Sequence, residues 1–305
     1  MAWLNLAVKT LGGRQFWGDI RFFRGWRIQR HVLSNHYRLL DPHDVRKAWG
    51  SLAECEATLQ QERERQQLTP MAGTAVVALH GILRSSKVWN SLKQEVEQDG
   101  MTVVAADYPS TQQPITAFVD QLQELLSSLE GIERIHLVVH SMGGLIVRAW
   151  SQRYSDPRIR RLVMIGTPNR GAEIASMLRE NPIFQFVFGP AGQQLVHESH
   201  DEFIQKLPTP PMEFAVIAGS RGNSQGFNPL IPGDDDGIVT TASARLPGAV
   251  DYLPVRVLHS FLPLSSEVVA ATRRFLATGA LRESGIREPI PAGEGTTSPA
   301  AEAAQ

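Results

Sequence analysis

Ser141 lies between an apolar run and a glycine pair, in the sequence RIHLVVHSMGGLIVRAW. The residues before it are typical of a buried strand, and those after it have helical periodicity. A serine in such a strand-to-helix turn presents its hydroxyl above a sheet, and Gly143 allows the strand and the helix to approach closely. The spacing therefore predicts a nucleophile. The alternative is that Ser141 only caps a helix and that Gly143 and Gly144 only permit tight packing.

A carboxylate and an imidazole follow Ser141 in the order that its partners require. The segment GDDDGIV, after the apolar run EFAVIAG, offers Asp234, Asp235 and Asp236. His259 follows the run PVRVL, so it is expected at the carboxyl edge of a sheet, where open α/β folds bind ligands. A serine hydroxyl needs an imidazole base, and the imidazole needs a carboxylate that fixes its tautomer. The alternatives are a solvated acidic loop and a structural histidine.

The segment LHG ends the first strong apolar run, and Ile82 follows it. The backbone N–H of Ile82 can point at the same place as the N–H of Met142, and two such amides would form an oxyanion hole. His80 and Gly81 would support that loop. The alternative for His80 is a buried core histidine with hydrogen-bonded ring nitrogens.

Short β-branched runs alternate with segments of helical periodicity from residue 72 onward. This alternation predicts an α/β fold with a mainly parallel central sheet and helices on both faces. The predicted strands are 74–79, 102–106, 134–139, 161–165, 213–218 and 254–258. The predicted helices are 86–98, 114–130, 143–155 and 265–277.

Residues 1–70 differ from this pattern, and we expect a helical N-terminal extension that packs on the core. Aromatic residues and arginines are frequent near its start, and the polar stretch LAECEATLQQERERQQL follows. Four arginines (Arg21, Arg24, Arg27 and Arg30) are expected to stay solvated while the aromatic residues pack. The alternative is that this basic, aromatic segment contacts an anionic membrane surface peripherally.

Residues 71–282 are predicted to form the main domain, with a cap or lid at about residues 171–212. The long connection after GTPNRG predicts this cap, because simple connections are much shorter. Its run IFQFVFGPAG carries Phe184, Phe186 and Phe188, which suit either core packing or the lining of an acyl pocket. Residues 283–305 are rich in Pro, Gly, Ala, Ser and Glu and are predicted to be a disordered tail.

Five segments occur in a fixed order: LHG, HSMGG, GTPNRG, DGIV and the late histidine. With these the sequence resembles the α/β-hydrolase family, and within it the lipase-like serine esterases, over about residues 72–280. The resemblance implies that Ser141 is the nucleophile, His259 the base and Asp236 the acid. It also implies that the oxyanion amides are those of Ile82 and Met142. Asp236 is preferred within the acidic run because it directly precedes the matching Gly-Ile-Val.

One position departs from the family pattern. The family often has a glycine two residues before the serine, where this chain has Val139. The larger side chain requires extra room beneath the turn.

Composition excludes several other classes of protein. The 305 residues carry 30 Lys and Arg against 31 Asp and Glu, so the broad positive field of a nucleic-acid-binding protein is absent. The single cysteine, Cys55, can form neither an internal disulfide nor a thiolate metal cluster. We expect no metal or organic cofactor. No signal peptide or transmembrane run is predicted, which favours a cytoplasmic protein with or without membrane association.

These features predict a serine carboxylester hydrolase that acts on a small-molecule or lipid ester with an apolar acyl group through an acyl-enzyme. An acyltransferase with the same three residues is the alternative, in which an alcohol or amine replaces water. A non-catalytic binding protein with this fold is the third interpretation.

Overall fold

The computed structural model of the protein describes residues 8–9, 15–34, 36–170 and 199–293. Within these residues the chain forms two sheets. The first, called the N-terminal sheet, has the antiparallel order β1-β5-β4-β3-β2. Its strands are β1 (Val8–Lys9), β2 (Trp17–Phe23), β3 (Trp26–His31), β4 (Tyr37–Leu40) and β5 (Val45–Gly50). Helix α1 (Leu52–Arg65) follows the sheet.

The prediction of a helical extension is wrong for residues 17–50, although α1 confirms the helix predicted from the polar stretch. In β3 the apolar Trp26 and Ile28 are buried on one face, which is the two-residue period of a strand. Arg24 and Gly25 both have positive φ, 47° and 87°, and form the two-residue turn between β2 and β3. Hairpin turns of this length favour positive φ at both positions. Gly25 therefore allows a tight hairpin turn.

The extension packs as expected, but not all of its arginines are solvated. One apolar cluster fills the space between the N-terminal sheet and α1 and consists of Ile20, Trp26, Ile28, Leu39, Ala48 and Cys55. Phe22 and Phe23 instead belong to the main core of the following domain. The side chain of Arg27 is only 15% exposed and forms ion pairs with Asp19 and Asp107. The expectation of a solvated Arg27 is wrong because this side chain faces buried carboxylates at the contact with the main domain.

The second sheet has six strands, all parallel, in the order β11-β10-β9-β8-β6-β7. Its strands are β6 (Gly73–Leu79), β7 (Thr102–Ala106), β8 (Ile132–His140), β9 (Ile159–Ile165), β10 (Glu213–Gly219) and β11 (Asp251–Val255). The predicted α/β fold with a parallel central sheet is confirmed. The last strand begins and ends three residues earlier than predicted. Because β11 is an edge strand, it accommodates Pro254.

Helices cover both faces of this sheet. They are α2 (Asn90–Glu97), α3 (Ile115–Ser127), α4 (Met142–Arg153), α5 (Ser199–Lys206), α6 (Thr241–Ala244) and α7 (Ser266–Thr278), with 3-10 turns at Ser86–Trp89 and His259–Leu264. One apolar cluster joins α3 and α4 to the sheet, for example through Phe118 and Trp150. A second cluster joins α2 and α7 to the opposite face through Leu92 and Phe275.

The prediction of a disordered tail from residue 283 is wrong for the part that the structure describes, residues 283–293. Ile290 is buried, its N–H donates to the carbonyl of Ala249, and its carbonyl accepts from the N–H of Gly248. The N–H of Glu288 also donates to Asp251 Oδ1 over 2.9 Å, so individual contacts that the composition does not reveal dock the segment beside β11. Residues 294–305 lie outside the described residues.

The predicted cap at 171–212 is described only from residue 199, where α5 lies. Residues 171–198, including the three phenylalanines expected to line or pack the cap, lie outside the described residues. In the described part of the chain, no helix is both long enough and apolar enough to cross a membrane.

Candidate active site

The carboxyl ends of four neighbouring strands meet at one edge of the parallel sheet. His80 follows β6, Asp107 follows β7, Ser141 follows β8 and Gly166 follows β9. Parallel strands bring all of their carboxyl ends to the same edge, where open α/β sheets bind ligands. Two of the predicted site residues, His80 and Ser141, therefore lie at this edge.

Ser141 has the strained backbone expected of a nucleophile between a strand and a helix, with φ 53° and ψ −121°. Its N–H donates to the carbonyl of Ile165 over 2.9 Å, which anchors the turn to β9. A Cβ at Gly143 would lie 2.9 Å from the carbonyl oxygen of Leu79, so only glycine fits there. Val139, where the family often has glycine, is fully buried within the core.

The side chains of Ser141, His259 and Asp236 form one hydrogen-bonded chain. His259 Nε2 lies 3.1 Å from Ser141 Oγ, and His259 Nδ1 lies 2.8 Å from Asp236 Oδ2. Because the carboxylate oxygen accepts, Nδ1 carries the proton and Nε2 accepts from the serine hydroxyl. All three residues are less than a tenth exposed. This is the geometry of a serine nucleophile with its general base.

The carboxylate of Asp236 is held by the backbone on its second oxygen. Asp236 Oδ1 accepts the N–H of Val239 over 2.8 Å and the N–H of Ile238 over 3.0 Å. In addition, the N–H of His259 donates to the carbonyl of Asp236 over 2.9 Å. Asp236 and His259 are therefore fixed to each other by a side-chain and a backbone hydrogen bond.

The other two acids of the run point elsewhere. Asp234 accepts from the hydroxyl of Ser220 and from the N–H of Arg221. Asp235 accepts from the N–H groups of Asn228 and Gly237. Both hold the loop that follows β10, and only Asp236 contacts His259.

The loop after β6 lies directly beside Ser141. A Cβ at Gly81 would lie 3.1 Å from Ser141 Cβ, so glycine permits this approach. Ile82 comes next, and among the described residues none accepts a hydrogen bond from its N–H. Met142 is the first residue of α4, where a helix leaves its N–H groups unpaired. Met142 directly follows Ser141 and Ile82 directly follows Gly81, and the role of their amides as oxyanion donors remains a prediction.

His80 is the buried core histidine of the alternative interpretation. Its Nδ1 donates to the carbonyl of Gly81 over 2.7 Å, and its Nε2 lies 3.4 Å from the donor N–H of Tyr108. Burial lowers the pKa of His80 below its ordinary value. The ring of His80 therefore links Gly81 to Tyr108.

Sequence reasoning missed the role of His140. Its Nε2 donates to the carbonyl of His259 over 3.1 Å, and burial, with a smaller effect of His259, lowers the pKa of His140 well below its ordinary value. The only sequence signal for this contact is the histidine directly before Ser141.

The segment GTPNRG also receives a structural explanation. A Cβ at Gly166 would lie 3.3 Å from the ring of His259, and one at Gly144 would collide with Thr167. Asn169 is buried and donates through Nδ2 to the carbonyl of Ala244. Gly166 thus lies against His259, and Thr167 packs against the first turn of α4.

Sequence comparison finds a protein family and several individual proteins to which this chain is similar. A family model described as alpha/beta hydrolase fold matches residues 74–188. The uncharacterized protein Rv2715 of Mycobacterium tuberculosis (strain ATCC 25618 / H37Rv) is 25% identical over 131 residues, which are 40% of this chain and 36% of the relative. The aligned part thus spans about a third of that protein. The human lysosomal thioesterase PPT2 is 22% identical over 206 residues, which cover 58% of this chain and 68% of that one.

Solved structures with a similar arrangement include a Bacillus licheniformis lipase and a thermophilic esterase from Thermogutta terrifontis. The lipase, BlEst2 in its mature form, has a TM-score of 0.48 and 20% identity, covering 65% of this chain and 94% of its own. The esterase has a TM-score of 0.46 and 18% identity, covering 68% of this chain and 91% of its own.

Proposed function

Since this chain belongs to the α/β-hydrolase family, we propose that it is a serine hydrolase that cleaves carboxylic esters through an acyl-enzyme. The single observation that carries the proposal is the hydrogen-bonded chain from Ser141 Oγ through His259 to Asp236. In the first half-reaction Ser141 Oγ attacks the ester carbonyl while His259 Nε2 takes the hydroxyl proton. The N–H groups of Ile82 and Met142 then stabilise the negative oxygen of the tetrahedral intermediate.

Collapse of this intermediate breaks the ester bond. The protonated His259 gives its proton to the leaving alcohol, and the acyl group remains on Ser141. In the second half-reaction His259 takes a proton from water as the water oxygen attacks the acyl carbonyl. The second tetrahedral intermediate then breaks its bond to Ser141 Oγ, His259 returns the proton to this oxygen, and the carboxylic acid is released. The carboxylate of Asp236 accepts from His259 Nδ1 and stabilises the charged imidazole in both halves.

Exposed apolar side chains next to the site support an apolar acyl group. Leu258 and Phe261 flank His259 and are 41% and 56% exposed, and Leu83 beside Ile82 is 43% exposed. Apolar surface at the mouth of a site favours the burial of an acyl chain, at about 25 cal/mol per Å².

The decisive experiment is labelling with a fluorophosphonate, which reacts with an activated serine. We expect one equivalent on Ser141, located by mass spectrometry, and none in Ser141→Ala. Hydrolysis is then measured with p-nitrophenyl esters of increasing acyl length. Butyryl thiocholine is added to the set as a thioester substrate, because one relative is named a thioesterase. Absence of labelling in the folded wild-type protein would contradict the proposal.

An acyltransferase would use the same first half-reaction. Product analysis with and without an added alcohol separates the two activities. If the free carboxylic acid is the main product with and without the alcohol, the protein is mainly a hydrolase. If an ester of the added alcohol replaces the carboxylic acid, acyl transfer predominates.

A further inference from the structure

Residues 107–111, which follow β7, connect the N-terminal sheet to the loop beside Ser141. This stretch, called here the linking segment, contains Asp107, Tyr108, Pro109, Ser110 and Thr111. Ser110 is fully buried. The segment takes no part in the hydrogen-bonded chain of Ser141. Its contacts instead join the loop 80–86 to the N-terminal sheet.

On one side, the linking segment holds the loop 80–86 along its length. Tyr108 donates through its hydroxyl to the carbonyl of His80. The hydroxyl of Ser110 accepts the N–H of Leu83 over 3.0 Å. Asp107 accepts the N–H of Ser86 over 2.7 Å and its hydroxyl over 2.9 Å. The loop is therefore fixed at its beginning, middle and end.

On the other side, the N-terminal sheet and the turn before it hold the linking segment. The backbone N–H of Asp107 donates to Asp19 Oδ2 over 2.7 Å, and the N–H of Asp19 donates to the carbonyl of Asp107 over 2.9 Å. Arg27 Nη1 donates to Asp107 Oδ2 over 3.3 Å. The first end of the segment is thereby tied to β2 and β3.

Gln15 holds the second end of the linking segment. Its Oε1 accepts the hydroxyl of Thr111 over 2.8 Å, the N–H of Thr111 over 3.2 Å and the hydroxyl of Ser110 over 3.3 Å. The hydroxyl of Ser110 thus donates to Gln15 while it accepts from Leu83. One continuous hydrogen-bonded path leads from the turn before β2 to the residue after Ile82.

The loop requires such support because its backbone is unfavourable. Leu83 has φ 59°, a left-handed conformation that is uncommon for a leucine. Ile82, the expected oxyanion donor, lies between this residue and Gly81, which approaches Ser141. An oxyanion donor works only when it is held close to its productive position.

We propose that the N-terminal sheet and the turn before it act as a positioning element for the oxyanion hole. Gln15 acts through Ser110, and Arg27 acts through Asp107, to hold the N–H of Ile82 toward the carbonyl of the substrate. Neither residue is a catalytic residue, because both act through the linking segment. The inference rests on the proposed ester hydrolysis.

The test compares Gln15→Ala and Arg27→Gln with Arg30→Gln. Arg30 is a matched control because it lies on the same strand, β3, and forms an ion pair with Glu124 at 2.9 Å on α3, away from the loop. For each purified full-length variant, the endpoint of fluorophosphonate titration gives the fraction of active molecules. Values of kcat per titrated site and of KM are then measured with p-nitrophenyl butyrate well below the melting temperature.

We expect kcat per site to fall about tenfold or more in Gln15→Ala and in Arg27→Gln. The loss should be smaller than that caused by deletion of an oxyanion donor, and KM should stay within about twofold of wild type. A trifluoromethyl ketone, whose adduct with Ser141 places an oxyanion in the hole, should bind weaker by a similar factor. Gln15→Glu keeps an acceptor oxygen and should restore kcat. Arg30→Gln should match wild type.

A purely structural role of the sheet would give a different result. Fewer titratable sites with wild-type kcat per site, or unchanged kcat in both variants, would overturn the proposal. If Arg27→Gln does not fold, Gln15→Ala with its Gln15→Glu counterpart decides alone. Failure of the proposed ester hydrolysis itself would be visible in the wild type, as the absence of labelling and turnover.

Discussion

His140 Nε2 donates a hydrogen bond to the backbone carbonyl of His259 over 3.1 Å, so the residue directly before Ser141 holds the backbone of His259. The two imidazole centroids lie 4.8 Å apart. Burial, with a smaller effect of His259, keeps the pKa of His140 well below its ordinary value. In the proposed reaction we therefore expect His140 to position His259 without competing for its proton.

The first prediction tests this positioning contact. His140→Leu removes the donor and should lower kcat about tenfold, the equivalent of one lost hydrogen bond, whereas His140→Gln can keep a donor and should lose less. The pH at which kcat is half-maximal should be the same in both variants and wild type. A shifted midpoint in His140→Gln would mean that His140 itself titrates in the reaction.

The second prediction concerns the nucleophile and its backbone. Ser141→Ala should reduce ester hydrolysis by about a millionfold while the circular dichroism spectrum stays unchanged. Ser141→Gly should be equally inactive but more stable than Ser141→Ala, by about 1 kcal/mol in urea unfolding, because glycine tolerates φ 53°. Equal stability of the two variants would indicate that the turn is not strained.

The third prediction separates the three consecutive acids. Asp236→Asn should lower kcat by about ten-thousandfold, since the amide stabilises the wrong tautomer of His259 and cannot stabilise its charged form. Asp234→Asn and Asp235→Asn are the matched controls. They should keep kcat within about tenfold of wild type but lose about 1–2 kcal/mol of unfolding free energy, because each carboxylate holds the 220–228 loop. A larger kcat loss in either control would reassign the acid.

The fourth prediction concerns the pH dependence of stability. Burial raises the pKa of Asp19 from 3.8 to about 6, although Arg27 acts in the opposite direction. The folded protein therefore holds this proton more tightly than the unfolded chain does. The resulting stabilisation is complete below about pH 4 and is lost as the pH rises to about 6.

Asp19→Asn isolates this effect from that of all other carboxylates. Relative to the variant, wild type should lose unfolding free energy between about pH 4 and 6 and show a constant difference above that range. Urea unfolding of both proteins at several pH values measures the difference. A difference that stays constant over the whole interval would contradict the raised pKa.

The fifth prediction concerns a buried cation on the helix that follows the nucleophile. Arg148 is 3% exposed, and burial lowers its pKa to about 10. Its guanidinium donates to the carbonyls of Asn169, Ile204, Leu207 and Pro208. Arg148→Lys keeps the charge but cannot reach all four acceptors, so it should cost at least about 2 kcal/mol of unfolding free energy.

Arg153→Lys on the same helix is the control, because the Arg153 side chain is half-exposed and its ion pair with Asp120 lies at the surface. It should change stability by less than about 0.5 kcal/mol. Equal effects of the two changes in thermal unfolding would argue against a special role for Arg148.

The sequence by itself determined the parallel sheet and the position of Ser141. Both depend on local patterns. The sheet follows from apolar runs that alternate with helical segments. The position of Ser141 follows from a strand, a serine and small residues that succeed one another directly. The same local reasoning failed for the N-terminal sheet. There, Gly25 forms a hairpin turn together with Arg24, whereas the sequence alone also permits the interpretation that this glycine weakens a helix.

The resemblance to the family favoured Asp236 within the acidic run, but only the tertiary structure showed that this carboxylate meets His259 and what supports the loop at Ile82. Asp234, Asp235 and Asp236 have the same chemistry, and they differ only in which groups the fold brings to them. Ser110 meets Leu83 across 27 positions of sequence, and Gln15 meets Thr111 across 96. Such contacts exist because β7 lies at one edge of the parallel sheet and the N-terminal sheet docks against its end, an arrangement that no local pattern specifies.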